Sequence, residues 1–472
     1  MIGIMPPSIR QKVDMARRAH SRYAFSGPGV HMENDVRHNP ALLKLDLYCR
    51  GMRLDDSCHV AEDGGRAVLR TRAGLGSGLE LILPGGLWTN VPVSESFTRS
   101  SPYVLHRTLD HYEIRRYPEG ARGGAGNGGR EGAASGPQMK IDRSEPIAAV
   151  RLAPRPAWYD RTTSTGKPMT RIGTLQGTYL GVYPARVCEY WTEKPERSNC
   201  HFCSVGLNLG VDDAPEKSVD EVMEVVQAAR AESGITYVDF NTGHYEGDVY
   251  LDILEPYLKR LKRETGLFIG VQTPPHHDLK RYDALRRMGV NRVSFCFEIF
   301  DEPTFKQVCP GKDREYGLKR YLKAVEYCAG LSRQGDRYEP WVSNGEIIAG
   351  LEPPASSIAA IDWITSVGAI PTVCVFRPLA GTDMEDAPPP KTEDLVPVFR
   401  RLYEACMERG LPVGAAPDIH VSLVLLPEEC RWFSDRPRRY WLKEMRIRAL
   451  RAGLRMRLAR QERRARAAAP EL

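Results

Sequence analysis

The 472-residue chain is expected to be an α/β protein. Its predicted centre is a partial, TIM-like (β/α)6 barrel, with an additional N-terminal α+β region and a basic C-terminal helix. Three observations predict this. From about Arg171, six strand-like runs alternate with six helical ones. Helices that follow strands make the sheet parallel. Residues able to do chemistry fall just after the strands, where a barrel assembles its active site. An open doubly wound sheet shares the first two features, and the third favours the barrel.

Residues 1–118 read as a separate mixed region. Met5 to His20 suits a helix, and Val68 to Val93 (VLRTRAGLGSGLELILPGGLWTNVPV) suits short strands joined by glycine turns. This region holds no catalytic motif, and Cys58-His59 reads as ordinary packing. Residues 119–140 include GARGGAGNGGREGAASGP, which has no large apolar side chain to bury and reads as a linker or long surface loop. The barrel is expected over 171–425. Its first strand lies within Thr178–Tyr190. Ser218–Ser233 follows as a helix, with Ser218 and Glu221 as a capping box and Gly234 as its stop. Strands are then expected at Ile235–Asn241, Leu267–Gln272, Arg292–Phe297, Trp341–Ala349 and Ile370–Phe376. The helices after them are expected at Val249–Thr265, Asp278–Met288, Arg314–Leu331, Ser356–Val367 and Thr392–Arg409.

Composition narrows the function classes. No run of about 18 apolar residues is present, so no membrane span is expected. Arg10, Lys12, Arg17 and Arg18 lack the apolar stretch of a secretory signal. The cysteines number eleven, odd and irregularly spaced, which fits a reducing cytoplasmic setting better than a disulfide framework. The net charge of +6 is not spread evenly, because Arg436–Arg466 holds thirteen Lys and Arg against two Glu. The basic character therefore sits in the tail, 426–472, and the body is slightly acidic. Within that tail Leu442, Met445, Leu450, Leu454 and Leu458 fall near one helical face, which favours a docking helix with a solvated Arg face over a helix that binds nucleic acid, an acidic partner or a membrane surface. The body lacks a basic stripe with interleaved aromatics, so nucleic acid is not the expected substrate.

The tightest cluster of reactive side chains is Cys188–Cys203 (CEYWTEKPERSNCHFC), directly after the first barrel strand. A Cys pair two residues apart can share one metal centre, and a third thiolate eleven residues upstream can close the site at modest loop entropy. Three thiolates are one short of a full iron–sulfur set, which leaves one iron open to an outside ligand.

With these residues the chain resembles the radical S-adenosylmethionine (radical SAM) superfamily over roughly residues 171–425. The resemblance implies a [4Fe–4S] cluster on Cys188, Cys200 and Cys203, with Phe202 as the aromatic before the third cysteine. Eleven residues separate the first two cysteines where the family has three. Asn241-Thr242-Gly243-His244 stands where the family has a glycine-rich turn facing the amine of S-adenosyl-L-methionine; only Gly243 fits its glycine pattern, and the usual acidic residue is missing. Glu298 is the candidate acceptor for the ribose hydroxyls. Gly345–Glu352 (GEIIAGLE) resembles a Gly-Ile-Gly-Glu signature near the adenine, with Ile348 as a flat wall and Gly350 as a close backbone approach. Phe376–Thr382 (FRPLAGT) resembles a Pro-x-x-Gly-Thr loop, with Gly381 beside the adenine. Lys312 and Arg314 can pair with the cofactor carboxylate.

The activity implied is reductive cleavage of S-adenosyl-L-methionine to a 5′-deoxyadenosyl radical, acting on a small-molecule or peptide substrate. Electrons would come from an external donor, flavodoxin- or ferredoxin-like. Methyl or aminocarboxypropyl transfer is a variant, although no cobalamin-binding domain is recognisable. His276 and His277 are candidate proton-transfer groups, with a Pro turn capping the next helix as the plainer reading. Arg377 is a candidate anion contact. Cys296, Cys309, Cys374 and Cys430 read as packing. The competing reading of another class is a zinc-stabilised nucleic-acid-binding protein, with His201 recruited as a fourth ligand.

Overall fold

The computed structural model describes residues 35–66, 68–70, 77–118, 144–332 and 339–468. The helix expected at 5–20 and the glycine-rich stretch 120–137 lie outside them. Helix α1 (Pro40–Arg50) begins at Asn39, whose side chain accepts the Leu42 N–H, with Pro40 preset for the first turn. Seven strands follow: β1 (Arg53–Leu54), β2 (Leu69–Arg70), β3 (Ser77–Ile82), β4 (Trp88–Val91), β5 (Tyr103–Arg107), β6 (Tyr112–Arg116) and β7 (Glu145–Leu152). They make one sheet in the order β1-β5-β6-β7-β3-β2, with β4 against β3. The sequence reading anticipated strands only around β2–β4. The long-range partners of β5, β6 and β7 supply the rest.

The second sheet opens on a hairpin of β8 (Gly173–Gln176) and β9 (Tyr179–Val182). The short α2 (Val205–Asn208) sits in the loop after β9. The series then runs α3 (Val219–Ser233), β10 (Tyr237–Asn241), α4 (Tyr250–Thr265), β11 (Phe268–Gln272), α5 (Arg281–Arg287) and β12 (Arg292–Glu298). Next come α6 (Glu302–Val308), α7 (Pro310–Glu315), α8 (Gly317–Leu331), β13 (Val342–Ala349), α9 (Pro354–Ser366), β14 (Ile370–Val375) and α10 (Thr392–Arg409). Strands β9 to β14 are parallel, each beside its sequence neighbour, and β8 flanks β9. β14 and β8 stand at opposite ends of the strand order, so the sheet curls into a partial barrel, the fold class the alternation predicts. One helix differs from expectation. The helix expected to begin at Arg314 is preceded by two short ones, because Pro310 starts α7 and Gly317, at φ +63°, starts α8 on a new axis.

Local signals explain the helices well. Ser218 accepts the Glu221 N–H, Glu221 accepts the Ser218 N–H, and Gly234 closes α3 in the left-handed region. Ser218→Ala is expected to cost about 0.5–2 kcal/mol, read as a lower denaturation midpoint of the full chain.

The open side of the barrel is filled by the chain after α10. His420 and Thr178 exchange hydrogen bonds at 3.0 and 2.8 Å, and Asn90 of β4 donates to the Ser422 carbonyl at 2.7 Å. Lys44 of α1, fully buried, pairs with Glu429 at 2.8 Å and donates to the Val421 carbonyl. Helix α11 (Trp441–Ala468) docks only in part as expected. Leu458 is buried against Tyr179, Tyr237 and Phe268, and Leu454 packs beside it. Leu442, Met445 and Leu450 are exposed, because α11 meets the body through α4 and the barrel base. Among the described residues, no helix is long and apolar enough to cross a membrane.

Candidate active site

After β9 the chain leaves the sheet at Tyr183 and folds into a loop that carries all three candidate ligands. Cys188 precedes a single 3-10 turn, its carbonyl accepting the Trp191 N–H at 3.0 Å. Cys200 and Cys203 face one centre because the Cys203 N–H turns back to the Cys200 carbonyl at 2.9 Å. The loop is tied to its surroundings by backbone bonds: Glu189 N–H to the His244 carbonyl, Gly311 N–H to Ser198, and His201 N–H to Val308, each at 3.0 Å. The three thiols line one cavity of 120 Å³ at the C-terminal ends of the barrel strands.

Five more predicted residues border that cavity: Phe202, Asn241, Thr242, Gly243 and Ile348. Gly243 is there for a steric reason. A Cβ on it would stand 2.5 Å from the Cβ of Cys188 and 2.8 Å from the Tyr183 hydroxyl. Gly243→Ala is therefore expected to push the Cys188 loop away and lower iron retention after reconstitution, with the fold intact by circular dichroism.

Glu298 also lines the cavity, but it is not a free acceptor. Lys312 Nζ donates to its Oε1 at 3.0 Å and to the Cys296 carbonyl at 2.6 Å. A bulge between Cys296 and Glu298 sets this up, with Glu298 held at φ +66°, a strained conformation for a non-glycine residue. Of the two basic residues considered together, Lys312 lines the cavity and Arg314 does not. Arg314 pairs with Glu193 at 2.5 Å and donates to Ser198, so it braces the cysteine loop.

The remaining predicted residues stand elsewhere. Gly350 (φ +102°) turns the chain beside Pro390 and Phe376, and Gly381 (φ +81°) packs on Leu207; neither borders the cavity. His276 and His277 form the turn before α5. His277 bonds Asp248 at 2.7 Å, and His276 accepts the Asp278 N–H at 2.8 Å. Asp248 also accepts from Tyr316, which meets the cavity-lining His244 at 3.0 Å, so a chain of hydrogen bonds links the turn to the cavity. Arg377 is buried under the first sheet. It donates to Asn90 and lies 4.7 Å over the Tyr48 ring, so its role is to join the two sheets rather than to meet an anion.

Sequence reasoning missed several cavity residues. His244 stacks on Tyr190 at 4.4 Å, and its backbone N–H donates to Cys188 Sγ at 3.3 Å. Gln272, Cys296, Glu346 and Cys374 line the inner wall. All lie on the barrel-facing side of their strands, a signal present in the alternation but not used. Cys309, read as packing, hydrogen-bonds the Cys200 thiol and holds that thiol below its ordinary range. Burial pushes Cys188 up to about 11 and Cys203 up to about 12.

This donor set fits an iron–sulfur cluster. Buried thiols of raised pKa ionise when a cation takes the sulfur. Among the described residues, no group of three or more His, Cys, Asp or Glu is arranged to hold a metal ion.

The family model of the Radical SAM superfamily matches residues 197–333, which include Cys200 and Cys203. Residues 197–333 are a radical SAM superfamily domain, and the chain is an enzyme. Bacteriochlorophyllide c C-7(1)-hydroxylase of Chlorobaculum limnaeum is 24% identical over 284 residues, 56% of this radical SAM chain and 68% of the relative. An uncharacterized protein of Methanocaldococcus jannaschii is 25% identical over 195 residues, covering 40% of this chain and 48% of that one. Among solved structures, methylornithine synthase (PylB) aligns at 16% identity and TM-score 0.37 over 48% of this chain and 62% of its own. The hydrogenase maturase HydG aligns at 14% and 0.39 over 48% and 49%. The radical SAM chain thus spans less than two thirds of either structure and about half of the archaeal relative.

Proposed function

We propose that this radical SAM enzyme holds a [4Fe–4S] cluster on Cys188, Cys200 and Cys203 and cleaves S-adenosyl-L-methionine reductively, to act on a C–H bond of a small molecule. The observation that carries this reading is the convergence of the three thiols with Gly243, Glu298 and Ile348 on one cavity at the strand ends. The catalytic core is read as residues 171–425, with 1–118 and the tail 426–472 as additions joined through 119–140. When bound, the cluster and S-adenosyl-L-methionine would supply an electron from a flavodoxin- or ferredoxin-like donor and a carbon radical that takes a hydrogen atom.

The chain's own residues do the rest. Phe202 and Ile348 are apolar walls that keep water from the reacting centre. The His244 N–H donates to the Cys188 sulfur, a bond of the kind that tunes cluster potential. Lys312 holds the Glu298 carboxylate in place, oriented for a hydroxyl donor. The activity named for the first relative, hydroxylation of a bacteriochlorophyllide, supports a small-molecule substrate over a peptide. The zinc-stabilised nucleic-acid reading gives way to the enzyme.

The test is anaerobic reconstitution with iron and sulfide, reduction, addition of S-adenosyl-L-methionine and assay of nucleoside products. 5′-Deoxyadenosine is the expected product. Methylthioadenosine would replace this reading with aminocarboxypropyl transfer, and a colourless zinc protein without cleavage would overturn it.

A further inference from the structure

Protein interiors contain few voids larger than a water molecule. The barrel lumen departs from this. Below the candidate active site lies a second cavity of 720 Å³. It is built from the N-terminal ends of the strands, closed by the chain after α10 and by α11. Its walls are largely aromatic and aliphatic: Tyr179, Tyr237, Phe268, Trp341, Val421 and Leu454. Its size and lining are those of a site for an organic ligand, which is mostly apolar with a few placed polar groups.

One of those polar groups is without a partner. Asn344 of β13 lines the cavity and is 94% buried, its exposure being 6%. Its Nδ2 donates to Thr372 at 3.0 Å, but among the described residues its Oδ1 accepts nothing. A buried acceptor left open costs free energy unless an N–H or O–H reaches it. A second relation gives the cavity its meaning: Gln272, Glu346 and Cys374 line both this cavity and the one holding the three cysteines. These three side chains are the partition between the two cavities, so a ligand filling the lower cavity stands one side-chain layer from the candidate centre.

We propose that this cavity seats the substrate's body, a flat, largely apolar ring molecule carrying an N–H or O–H donor that bonds Asn344. Flat rings suit it because aromatic walls pack against them face to edge or offset. The substrate enters at the barrel end opposite the cysteines, beneath α11. That it is a substrate rests on the radical SAM reading; that the site binds such a molecule does not.

N-phenyl-1-naphthylamine, an apolar aromatic with one N–H, is the probe, titrated by fluorescence into the full chain without iron. Saturable one-site binding is expected, equal in wild type and Cys203→Ala. Val421→Trp fills the cavity and is expected to abolish binding with the circular dichroism unchanged. The N-methylated probe, which has no donor, is expected to bind wild type about threefold to tenfold more weakly, the worth of one buried hydrogen bond. Asn344→Leu should erase that preference while keeping the branched, four-heavy-atom outline of the side chain. Wild-type affinity in a folded Val421→Trp, no binding to wild type, or a preference that survives Asn344→Leu would each overturn the proposal. If Val421→Trp does not fold, the Asn344→Leu comparison decides alone. Probe binding with no cleavage of S-adenosyl-L-methionine would reject the catalytic reading and keep the site.

Discussion

Cys203→Ala and Cys188→Ala are expected to lose bound iron, the visible absorption of the cluster and all 5′-deoxyadenosine formation, while keeping wild-type circular dichroism. Each removes one of the three thiolates proposed to hold the cluster. Cys309→Ala is the contrast. Its thiol hydrogen-bonds Cys200 from outside the cavity, so its loss should shift the cluster's potential and leave iron content near that of wild type. Equal iron loss in Cys309→Ala would make it a ligand and would close the open iron on which the proposed chemistry depends. Iron content by colorimetric assay and potential by redox titration separate these outcomes.

Lys312→Met is expected to destabilise the protein by about 3–5 kcal/mol, because it leaves the Glu298 carboxylate buried without its counter-charge. Both side chains are nearly enclosed, at 14% and 11% exposure, and the bond between them is 3.0 Å. Breaking a buried pair costs far more than replacing it. The double variant Lys312→Met/Glu298→Gln should therefore recover most of the lost stability, measured by denaturant unfolding. Activity should not return with it, since the cavity then lacks the carboxylate proposed to meet the cofactor. A single variant as stable as wild type would mean that the ion pair contributes nothing.

Much of the barrel was legible in the chain because each strand–helix unit is specified locally. The capping box at Ser218 and the glycine stops at Gly234, Gly266 and Gly410 punctuate it. The first sheet was less legible. Strands β5, β6 and β7 have the right residue types, but their order beside β1 and β3 depends on distant partners, as far apart as Leu81 and Leu152, which no local period encodes. The site divides the same way. Three cysteines after the first parallel strand announce themselves by position. The Lys312–Glu298 pair does not, because it is made by a bulge and a positive φ. Arg377 was misread for a related reason. A basic residue at a strand end suits an anion contact until the first sheet arrives from elsewhere in the chain to cover it.

The strand order carries a consequence for biosynthesis. Because β9 to β14 each pair only with their neighbours in sequence, the half-barrel can be extended one strand–helix unit at a time as it leaves the ribosome. The pieces that roof the lumen are made after the strands they cover. His420 and Ser422 seal the seam beside Thr178 and Asn90, and Leu458 covers the base. A nascent chain ending near Arg409 would thus have all its strands and an uncovered interior. Assembly of the proposed metal centre and enclosure of the lumen become separable events, and a chain truncated before the tail would expose the cavity without dismantling the sheet.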